Sequence, residues 1–357
     1  MIPIYIGSTM GYSGKSLVTL GLGLRMQADG LNVGYMKPFG RVPTTEHGAL
    51  TDGDAYFMRR TLDLNDPMEL VCPVVYTQDL MAEALRGKGK GLMPSVMKSF
   101  RSLSKGRDVL LLGGAKDMND GALFGISGLR LVRETGARVI MVDPFSGEAC
   151  MDCLLTAKEM LGDSLIGAVV NKAPIDGIEY IKGMAGPFLK KKGIPLLGVL
   201  PSDKLLNAIT IKQLNESLGG KVLCCPDRLD ELVENFLIGA MDVESALKYF
   251  RKTPNKAVVT GAHRSDIQLA ALETSTKCLV LTGDLLPNDL ILAKAQMAGV
   301  PVLSVKHDTL STVERFEAIL GKVRIREDRK VSRASELMDK YFDFGMFYRK
   351  AGIKKPR

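Results

Sequence analysis

The stretch Gly7-Ser-Thr-Met-Gly-Tyr-Ser-Gly-Lys-Ser16 decides the fold of this chain. It follows the apolar run Ile2–Gly7, which is typical of a buried strand, and it precedes leucines at helical spacing up to Ala28. A loop in this position points successive backbone N–H groups at one place, with a helix N-terminus behind them, and such a place attracts anions. The sequence therefore predicts a phosphate-binding loop between the first strand and the first helix.

The ending Gly14-Lys15-Ser16 is that of a P-loop, which binds nucleotide phosphates. Glycine lets the backbone approach a phosphate, lysine reaches the β- and γ-phosphates, and the serine hydroxyl suits Mg²⁺. The usual first glycine, five residues earlier, is replaced by Thr9. An ordinary strand–turn–helix with a chance match is the alternative. The predicted nucleotide-binding loop consists of Thr9, Gly11, Tyr12, Ser13, Gly14, Lys15 and Ser16.

Composition limits the class of protein. With 357 residues, of which 46% are hydrophobic and 25% charged, the chain suits two domains with well-buried cores. No apolar run reaches the ~18–20 residues of a membrane span. The N-terminus lacks the basic segment that begins a secretory signal. We therefore expect a cytoplasmic protein that does not enter a membrane.

Cysteines and charge argue against two further classes. Six cysteines are too few for a disulfide scaffold of this length, and the pair Cys150 and Cys153 lacks the further ligands of a zinc site. The net charge of +8 raises nucleic acid as a partner, but the basic residues are scattered apart from Lys190–Lys192 and the tail Lys354–Arg357. We expect structural cysteines, a solvated basic surface and no nucleic-acid partner.

Apolar runs alternate with helical patterns over the first two hundred residues. Because several runs lack polar alternation, they suit strands that are buried on both faces of a sheet. This alternation predicts an α/β fold with a doubly wound, mainly parallel sheet. The predicted strands are Ile2–Gly7, Val33–Pro38, Val109–Leu112, Arg138–Val142, Leu165–Asn171 and Leu196–Leu200.

The pattern changes near residue 204 and predicts a second, smaller α/β domain. Its strands are expected at Lys221–Cys225, Lys256–Thr260, Cys278–Thr282 and Val302–Val305, and its last helix at Thr312–Leu320. We place the domains at residues 1–203 and 204–325. Residues 326–357 are expected to form a C-terminal helix and tail.

The first domain resembles the dethiobiotin synthetase (BioD-like) branch of P-loop proteins, in which a threonine stands where Thr9 does. The similar segments are Val33-Gly-Tyr-Met-Lys-Pro38, Thr51-Asp-Gly-Asp-Ala55, Gly167-Ala-Val-Val-Asn-Lys172 and Leu200-Pro201. The resemblance implies that Lys37 reaches the phosphate region, that Asp54 binds Mg²⁺ with Ser16, and that Asn171 and Pro201 border the base. From the residues alone, Lys37 could be a surface lysine, Asp54 a helix cap and Asn171 a turn cap.

One position departs from that family. The strand Asp108–Ala115 ends, in the family, with a glutamate that helps to hold magnesium, and here this position is Gly113. Mg²⁺ keeps only one or two protein carboxylates, so losing one weakens the metal site without removing nucleotide binding. Asp117, four residues on, is the candidate to replace it. Whether ATP is hydrolysed stays open at this point.

The second half resembles the DRTGG domain, which follows a BioD-like domain in long phosphate acetyltransferases. Ala246–Leu320 carries the resemblance, with His263 where an aspartate is usual before Arg264. Because ligands sit outside the carboxyl ends of strands, His263, Arg264 and Asp266 are candidate ligand-binding residues. Asp266 could equally cap a helix, and His263 could be structural. No acetyl-transferring domain is expected in the chain.

These features favour a nucleotide-binding regulatory protein of the phosphotransacetylase family. Its cofactors would be ATP or another nucleotide and Mg²⁺, and its DRTGG domain would sense a small ligand or dock a protein partner. We expect a homo-oligomer, and the hypothesis leaves open a weak ATPase activity. The alternatives are an ATP-dependent carboxylate ligase of the dethiobiotin synthetase type and a scaffold that binds no nucleotide.

Overall fold

The computed structural model describes residues 1–46, 48–87, 91–319, 325 and 327–355. The chain divides into two compact units. The first comprises Met1–Ser202 together with Arg324–Arg357, and the second comprises Asp203–Val323. The second unit is therefore inserted, in sequence, between two parts of the first. Each unit has its own sheet and its own apolar core.

Strands of the first unit are β1 (Ile2–Gly7), β2 (Val33–Met36), β3 (Pro43–Glu46), β4 (Ala49–Asp52), β5 (Val109–Gly113), β6 (Arg138–Pro144), β7 (Leu165–Ala173) and β8 (Leu196–Pro201). Its helices before the second unit are α1 (Lys15–Ala28), α2 (Gly53–Thr61), α3 (Met68–Val71), α4 (Gln78–Leu85), α5 (Leu92–Leu103), α6 (Gly128–Thr135), α7 (Glu148–Leu161) and α8 (Ile178–Lys191).

The main sheet of the first unit is parallel and doubly wound, as predicted. Among the described residues its strand order is β2-β5-β1-β6-β7-β8. Strands β2 and β5 are buried along their whole length, because helices cover both faces of a parallel sheet. The carboxyl ends of β1, β5, β6 and β7 therefore meet at one edge, where the loop Ser8–Gly14 emerges. A separate antiparallel hairpin, β3–β4, leads into α2.

The C-terminal segment forms two helices on the first unit, α15 (Asp328–Tyr341) and α16 (Phe344–Ala351), where the sequence predicted one helix and a tail. Helix α15 packs on α1, and a β-carbon at Gly21 would lie 2.3 Å from the Met338 Cγ atom. The Lys355 ammonium binds the Asp29 carboxylate at 3.0 Å. Pro356 and Arg357 lie outside the described residues. These contacts hold the helix that follows the phosphate loop.

Strands of the second unit are β9 (Ile209–Thr210), β10 (Lys221–Cys224), β11 (Leu232–Val233), β12 (Asn235–Ile238), β13 (Lys256–Gly261), β14 (Thr276–Thr282) and β15 (Val302–Val305). Its helices are α9 (Lys204–Asn207), α10 (Ile211–Leu218), α11 (Val243–Lys252), α12 (Ser265–Leu272), α13 (Asp289–Ala298) and α14 (Thr309–Ile319). Leu320, the predicted end of the last helix, lies outside the described residues.

The larger sheet of the second unit has the order β10-β15-β14-β13-β12 in the part of the chain that the structure describes. Strands β12 to β15 are parallel, and β10 joins β15 in the antiparallel direction. The sequence analysis missed β12, a four-residue edge strand whose apolar run, Phe236–Ile238, is short and only half-buried. Its carboxyl end nevertheless lies beside that of β13, which carries the segment around His263.

The sequence predictions about membrane segments and cysteines can be compared with the described residues. No helix in the described ranges is both long and apolar enough to cross a membrane. The six cysteines, all of which the structure describes, are free thiols, and Cys150 is buried. No group of three or more His, Cys, Asp or Glu side chains within the described residues could hold a metal ion.

Candidate nucleotide-binding site

The phosphate loop turns sharply at its last glycine. Gly14 has φ = 101° and lies next to Asn171, whose Nδ2 atom would be 2.0 Å from a β-carbon at this position. Only glycine fits this combination of a left-handed backbone and a close side chain. Because α1 begins at Lys15, the amides of its first turn have no partner within the helix. The loop therefore presents N–H groups at a helix N-terminus, as the sequence predicted.

Asn171 supports the loop from the neighbouring strand. It is buried at the end of β7, and its Nδ2 atom donates a hydrogen bond to the Ser13 carbonyl at 2.9 Å. The turn-cap alternative for Asn171 is wrong, because its amide binds a residue 158 positions away. Its expected contact with a base remains a prediction, as does that of Pro201, which is buried at the end of β8.

Lys15 lies over the loop. Its ammonium donates to the Ser8 hydroxyl at 2.6 Å and to the Lys116 carbonyl at 2.9 Å, with the Met10 carbonyl at 3.5 Å. Burial lowers the pKa of Lys15 to about 8, although the negative charge of Asp143 opposes this shift. Neutral oxygens solvate a buried ammonium less well than an anion does. Lys15 is therefore poised to bind a phosphate.

Asp143 holds the first residue of the loop and was not found by the sequence analysis. Its Oδ1 atom accepts from both the Thr9 amide, at 2.8 Å, and the Thr9 hydroxyl, at 3.1 Å. The second oxygen, Oδ2, is buried and has no hydrogen-bond partner among the described residues. Burial raises the pKa of Asp143, although the hydrogen bonds from Thr9 oppose the shift. The signal was a carboxylate directly after the apolar strand Arg138–Val142.

This contact explains why threonine replaces glycine at the start of the loop. Thr9→Val should weaken nucleotide binding about fivefold, because it removes one hydrogen bond of ~1 kcal/mol and leaves Asp143 less well satisfied. Thr9→Ser keeps the hydroxyl and should bind like the wild type. Titration calorimetry with a nucleotide measures the difference. Equal affinities for the valine and serine variants would show that the hydroxyl plays no part.

Lys37 and Asp54 meet in a buried ionic cluster. The Lys37 ammonium lies 2.8 Å from Asp52 Oδ1 and 3.0 Å from Asp54 Oδ2. Burial alone would lower the pKa of Lys37, but the charges of Asp54 and Asp52 raise it above its ordinary value. Lys37 is therefore a buried cation, and the surface-lysine alternative is wrong.

Asp52 rather than Asp54 caps helix α2. Its Oδ1 atom accepts from the amides of Asp54 and Ala55 at 3.0 and 2.9 Å, and its Oδ2 atom accepts from the Val42 amide at 2.8 Å. The cap alternative for Asp54 is therefore wrong. Asp54 is half-buried beside Lys37, in the segment that the resemblance associates with Mg²⁺.

The space beside Gly113, where the resembled family has a glutamate, is filled by an aromatic side chain. A β-carbon at Gly113 would lie 2.7 Å from the Tyr35 hydroxyl oxygen, and Tyr35 is buried. Burial raises the pKa of Tyr35 well above its ordinary value, and the charges of Asp52 and Asp54 raise it further. The Tyr35 hydroxyl thus occupies the space near these carboxylates that a side chain at residue 113 would need.

Asp117, the candidate replacement for the glutamate, accepts hydrogen bonds from backbone amides of its own turn. Its Oδ1 atom accepts from the Asn119 amide at 2.8 Å and from the Asp120 amide at 3.0 Å. This carboxylate stabilises the loop after β5, the same loop that supplies the Lys116 carbonyl to Lys15. Its role as a metal ligand remains a prediction.

The residues present fit a nucleotide with a weakly held cation. Gly14 has the left-handed conformation of a phosphate loop, and the Ser13 hydroxyl is buried with no hydrogen-bond partner within the described ranges. Ser16 is exposed at the first turn of α1. Ser16 and Asp54 would supply one hydroxyl and one carboxylate to Mg²⁺, with phosphates and waters completing its coordination, and this role remains a prediction.

The candidate residues of the second unit are placed at the junction between β13 and α12. Arg264 binds Asp266 through two contacts, Nε to Oδ1 at 3.0 Å and Nη2 to Oδ2 at 2.9 Å, and Nη2 also donates to the Met241 carbonyl. The N-cap of α12 is Arg264, so the cap alternative for Asp266 is wrong. His263 packs against Gly261, where a β-carbon would lie 2.6 Å from the imidazole. A ligand would have to compete with Asp266 for Arg264.

A doubly wound parallel sheet with this loop at its carboxyl edge defines a P-loop protein. A family model described as "AAA domain" matches residues 3–210, and the chain belongs to this family. A second model, "DRTGG domain", matches residues 213–319. The order of a BioD-like P-loop domain followed by a DRTGG domain confirms the resemblance from the sequence.

Known proteins of similar sequence agree with these two family matches. The chain is 25% identical over 361 residues to a phosphate acetyltransferase of Nitratidesulfovibrio vulgaris, covering 95% of this chain and 50% of that protein. It is 21% identical over 220 residues to the dethiobiotin synthetase BioD of Nitrosopumilus maritimus, covering 60% of this chain and 95% of that protein. The chain thus spans about half the length of the phosphate acetyltransferases that it matches.

One similar solved structure contains a DRTGG domain. It comprises the CBS and DRTGG domains of the regulatory region of a Clostridium perfringens pyrophosphatase, complexed with the activator diadenosine tetraphosphate. It is 20% identical, covers 39% of this chain and 70% of that chain, and has a TM-score of 0.29.

Proposed function

We propose that the chain is a cytoplasmic regulatory protein that binds ATP or another nucleotide with Mg²⁺ in its first unit. Its second unit would bind a small ligand or a protein partner. The observation that carries the proposal is the loop itself: the Lys15 ammonium, which binds the neutral oxygens of Ser8 and Lys116, lies beside a helix N-terminus that follows a left-handed glycine. The ammonium and the free amides of the helix N-terminus both attract an anionic group.

Binding without fast turnover is the function that the neighbouring residues support. Phosphoryl transfer depends on electrostatic stabilisation of the transferred group, to which metal ions contribute. Here Tyr35 fills the place of a second metal-binding carboxylate, and Lys37 already neutralises part of the charge of Asp54. We infer that the nucleotide acts mainly as a signal. The similarity to about half of several phosphate acetyltransferases supports a role in regulating an enzyme of that kind.

The test is to measure binding and turnover on the same preparation. We expect ATP or GTP to bind in calorimetry, and we expect hydrolysis to remain far below the ~1–10 s⁻¹ of ordinary enzymes. Asp54→Asn should weaken the Mg²⁺ dependence of binding more than binding without Mg²⁺. Asp66→Asn, which alters a carboxylate paired with Arg107 elsewhere in the unit, is the matched control.

Two results would overturn the proposal. Absence of any nucleotide effect would support the scaffold alternative. A turnover that rises to ordinary enzymatic rates when a carboxylate substrate is added would support the ligase of the dethiobiotin synthetase type. An unchanged Mg²⁺ dependence in Asp54→Asn would remove only the metal assignment and leave the loop assignment standing.

A further inference from the structure

The loop after β5 carries a lysine that lies against the phosphate loop. The stem of Lys116 crosses Gly11, since a β-carbon at Gly11 would lie 3.2 Å from the Cγ atom and 3.7 Å from the Cε atom of this lysine. Lys116 is exposed, and it makes this contact with its stem, as lysines do when they keep their charge in water. A second cation therefore lies beside the phosphate loop in addition to Lys15.

The backbone of Lys116 is fixed on both sides of the residue. Its carbonyl accepts from the Lys15 ammonium at 2.9 Å and from the Ser8 hydroxyl at 3.3 Å. Its amide donates to the Asp120 carboxylate at 3.0 Å. The Cα atom of Lys116 is therefore held close to Lys15, whereas its exposed side chain can change rotamer rapidly.

These distances decide which groups the Lys116 ammonium can reach. A carbonyl oxygen lies about 2.4 Å from the Cα atom of its own residue, so the Lys15 ammonium is within about 5.3 Å of the Lys116 Cα atom. A fully extended lysine side chain places its ammonium about 6 Å from Cα. The Lys116 ammonium can therefore reach a phosphate that the Lys15 ammonium binds.

The two acidic side chains of the same loop are held by other donors. Asp117 accepts from the amides of Asn119 and Asp120. The Asp120 Oδ2 atom accepts from the Lys116 amide and lies 3.5 Å from Arg41 Nε. Within the described residues, no carboxylate forms an ion pair with the Lys116 ammonium. Its charge is therefore available to an anionic ligand.

We propose that Lys116 is a second phosphate-binding lysine, which supplies part of the positive charge that a tightly held metal ion would otherwise supply. The inference rests on the proposed nucleotide site and adds a residue to it. The place of the second metal-binding carboxylate is Gly113, where Tyr35 fills the adjacent space, and three residues further on the chain carries this cation instead. An ammonium and a metal ion both neutralise phosphate oxygens. The nucleotide can then bind with its charge partly balanced by the chain itself.

This role makes the effect of Lys116 depend on Mg²⁺. Because the ammonium and the metal ion act on the same phosphate oxygens, removing the ammonium should weaken binding most when Mg²⁺ is absent. A residue that only shaped the loop would affect binding equally in both conditions. The comparison of the two conditions therefore separates the charge of Lys116 from the packing of its stem on Gly11.

Calorimetric titration of the full chain with ATP, in EDTA and in excess Mg²⁺, measures this dependence. Lys116→Met keeps an unbranched stem over Gly11 and removes the charge. Its dissociation constant should be about tenfold larger than that of the wild type in EDTA, and about threefold larger or less with Mg²⁺. Lys116→Arg keeps the charge and should stay within about threefold of the wild type in both conditions.

Lys105→Met is the matched control. Lys105 is also exposed, but it lies in the turn before β5, at the opposite end of that strand, so this change should leave both dissociation constants unaltered. Because both lysines are exposed, all three variants should fold. Equal affinities of Lys116→Met and the wild type in EDTA, equal losses with and without Mg²⁺, or an equal loss in the control would overturn the inference and leave the nucleotide site standing. A wild type that binds no nucleotide would overturn both.

Discussion

Replacing Lys15 with alanine should abolish nucleotide binding and remove its dependence on pH. In the wild type, a nucleotide at 100 times its dissociation constant should stabilise the protein by ~2.7 kcal/mol. The variant should lose nearly all of this stabilisation, because it removes the ammonium that binds the Ser8 hydroxyl and the Lys116 carbonyl inside the loop. Thermal unfolding with and without nucleotide measures the difference.

The pH dependence follows from the lowered pKa of Lys15. In the ligand-free protein this pKa is about 8, so the ammonium is charged below pH 8 and increasingly neutral above it. A phosphate binds the charged form and raises the pKa, so binding at higher pH must be accompanied by proton uptake. The dissociation constant should therefore be nearly constant below pH 8. It should be about tenfold larger at pH 9 than at pH 7.

Lys15→Arg keeps the positive charge over the loop but removes its titration between pH 7 and pH 9. Arginine stays protonated over this pH range, so any remaining affinity of this variant should not change between pH 7 and pH 9. The alanine variant should remain folded, because it loses only one half-buried side chain. Its unfolding temperature without nucleotide measures this. If the alanine variant kept the full nucleotide stabilisation, or if the wild type showed no loss of affinity at pH 9, the role of Lys15 would have to be abandoned.

Local sequence patterns were enough to predict the sheet of the first unit. Apolar runs such as Val109–Leu112 are buried on both faces, and their lack of polar alternation is what a parallel sheet requires. Gly14 and Lys15 were found because the phosphate loop is continuous in sequence. Its function depends on a local backbone conformation, φ = 101° at Gly14, that only a glycine adopts readily.

Contacts between distant residues could not be predicted in this way. Asp143 holds Thr9 across 134 positions, and Tyr35 closes the space beside Gly113 from a neighbouring strand. No spacing rule connects such residues, because the order of strands in the sheet decides which side chains meet. The packing of α15 on α1 was missed for the same reason. The boundaries at 203 and 325 remain predictions, although the second unit spans Asp203–Val323.

The pair Gly113 and Tyr35 should behave as a coupled site. Gly113→Glu alone should destabilise the protein by ~1–3 kcal/mol or more, since its β-carbon would meet the buried Tyr35 hydroxyl at 2.7 Å. Gly113→Ala adds the same β-carbon without the charge and separates crowding from electrostatics. Tyr35→Ala alone should cost ~3–5 kcal/mol through the cavity it leaves. Denaturant unfolding of each variant measures these values.

The double variant, Tyr35→Ala with Gly113→Glu, is the decisive one. The glutamate can then extend into the space that the tyrosine leaves, so the two changes should be less destabilising together than their sum by ~1 kcal/mol or more. Its carboxylate would lie near Asp54, whose charge already reaches the Tyr35 hydroxyl. Mg²⁺ dependence should therefore become steeper and nucleotide hydrolysis faster than in the wild type. Additive destabilisation with unchanged Mg²⁺ dependence would mean that Tyr35 is simply a core residue. The slow turnover would then need a cause other than the missing carboxylate.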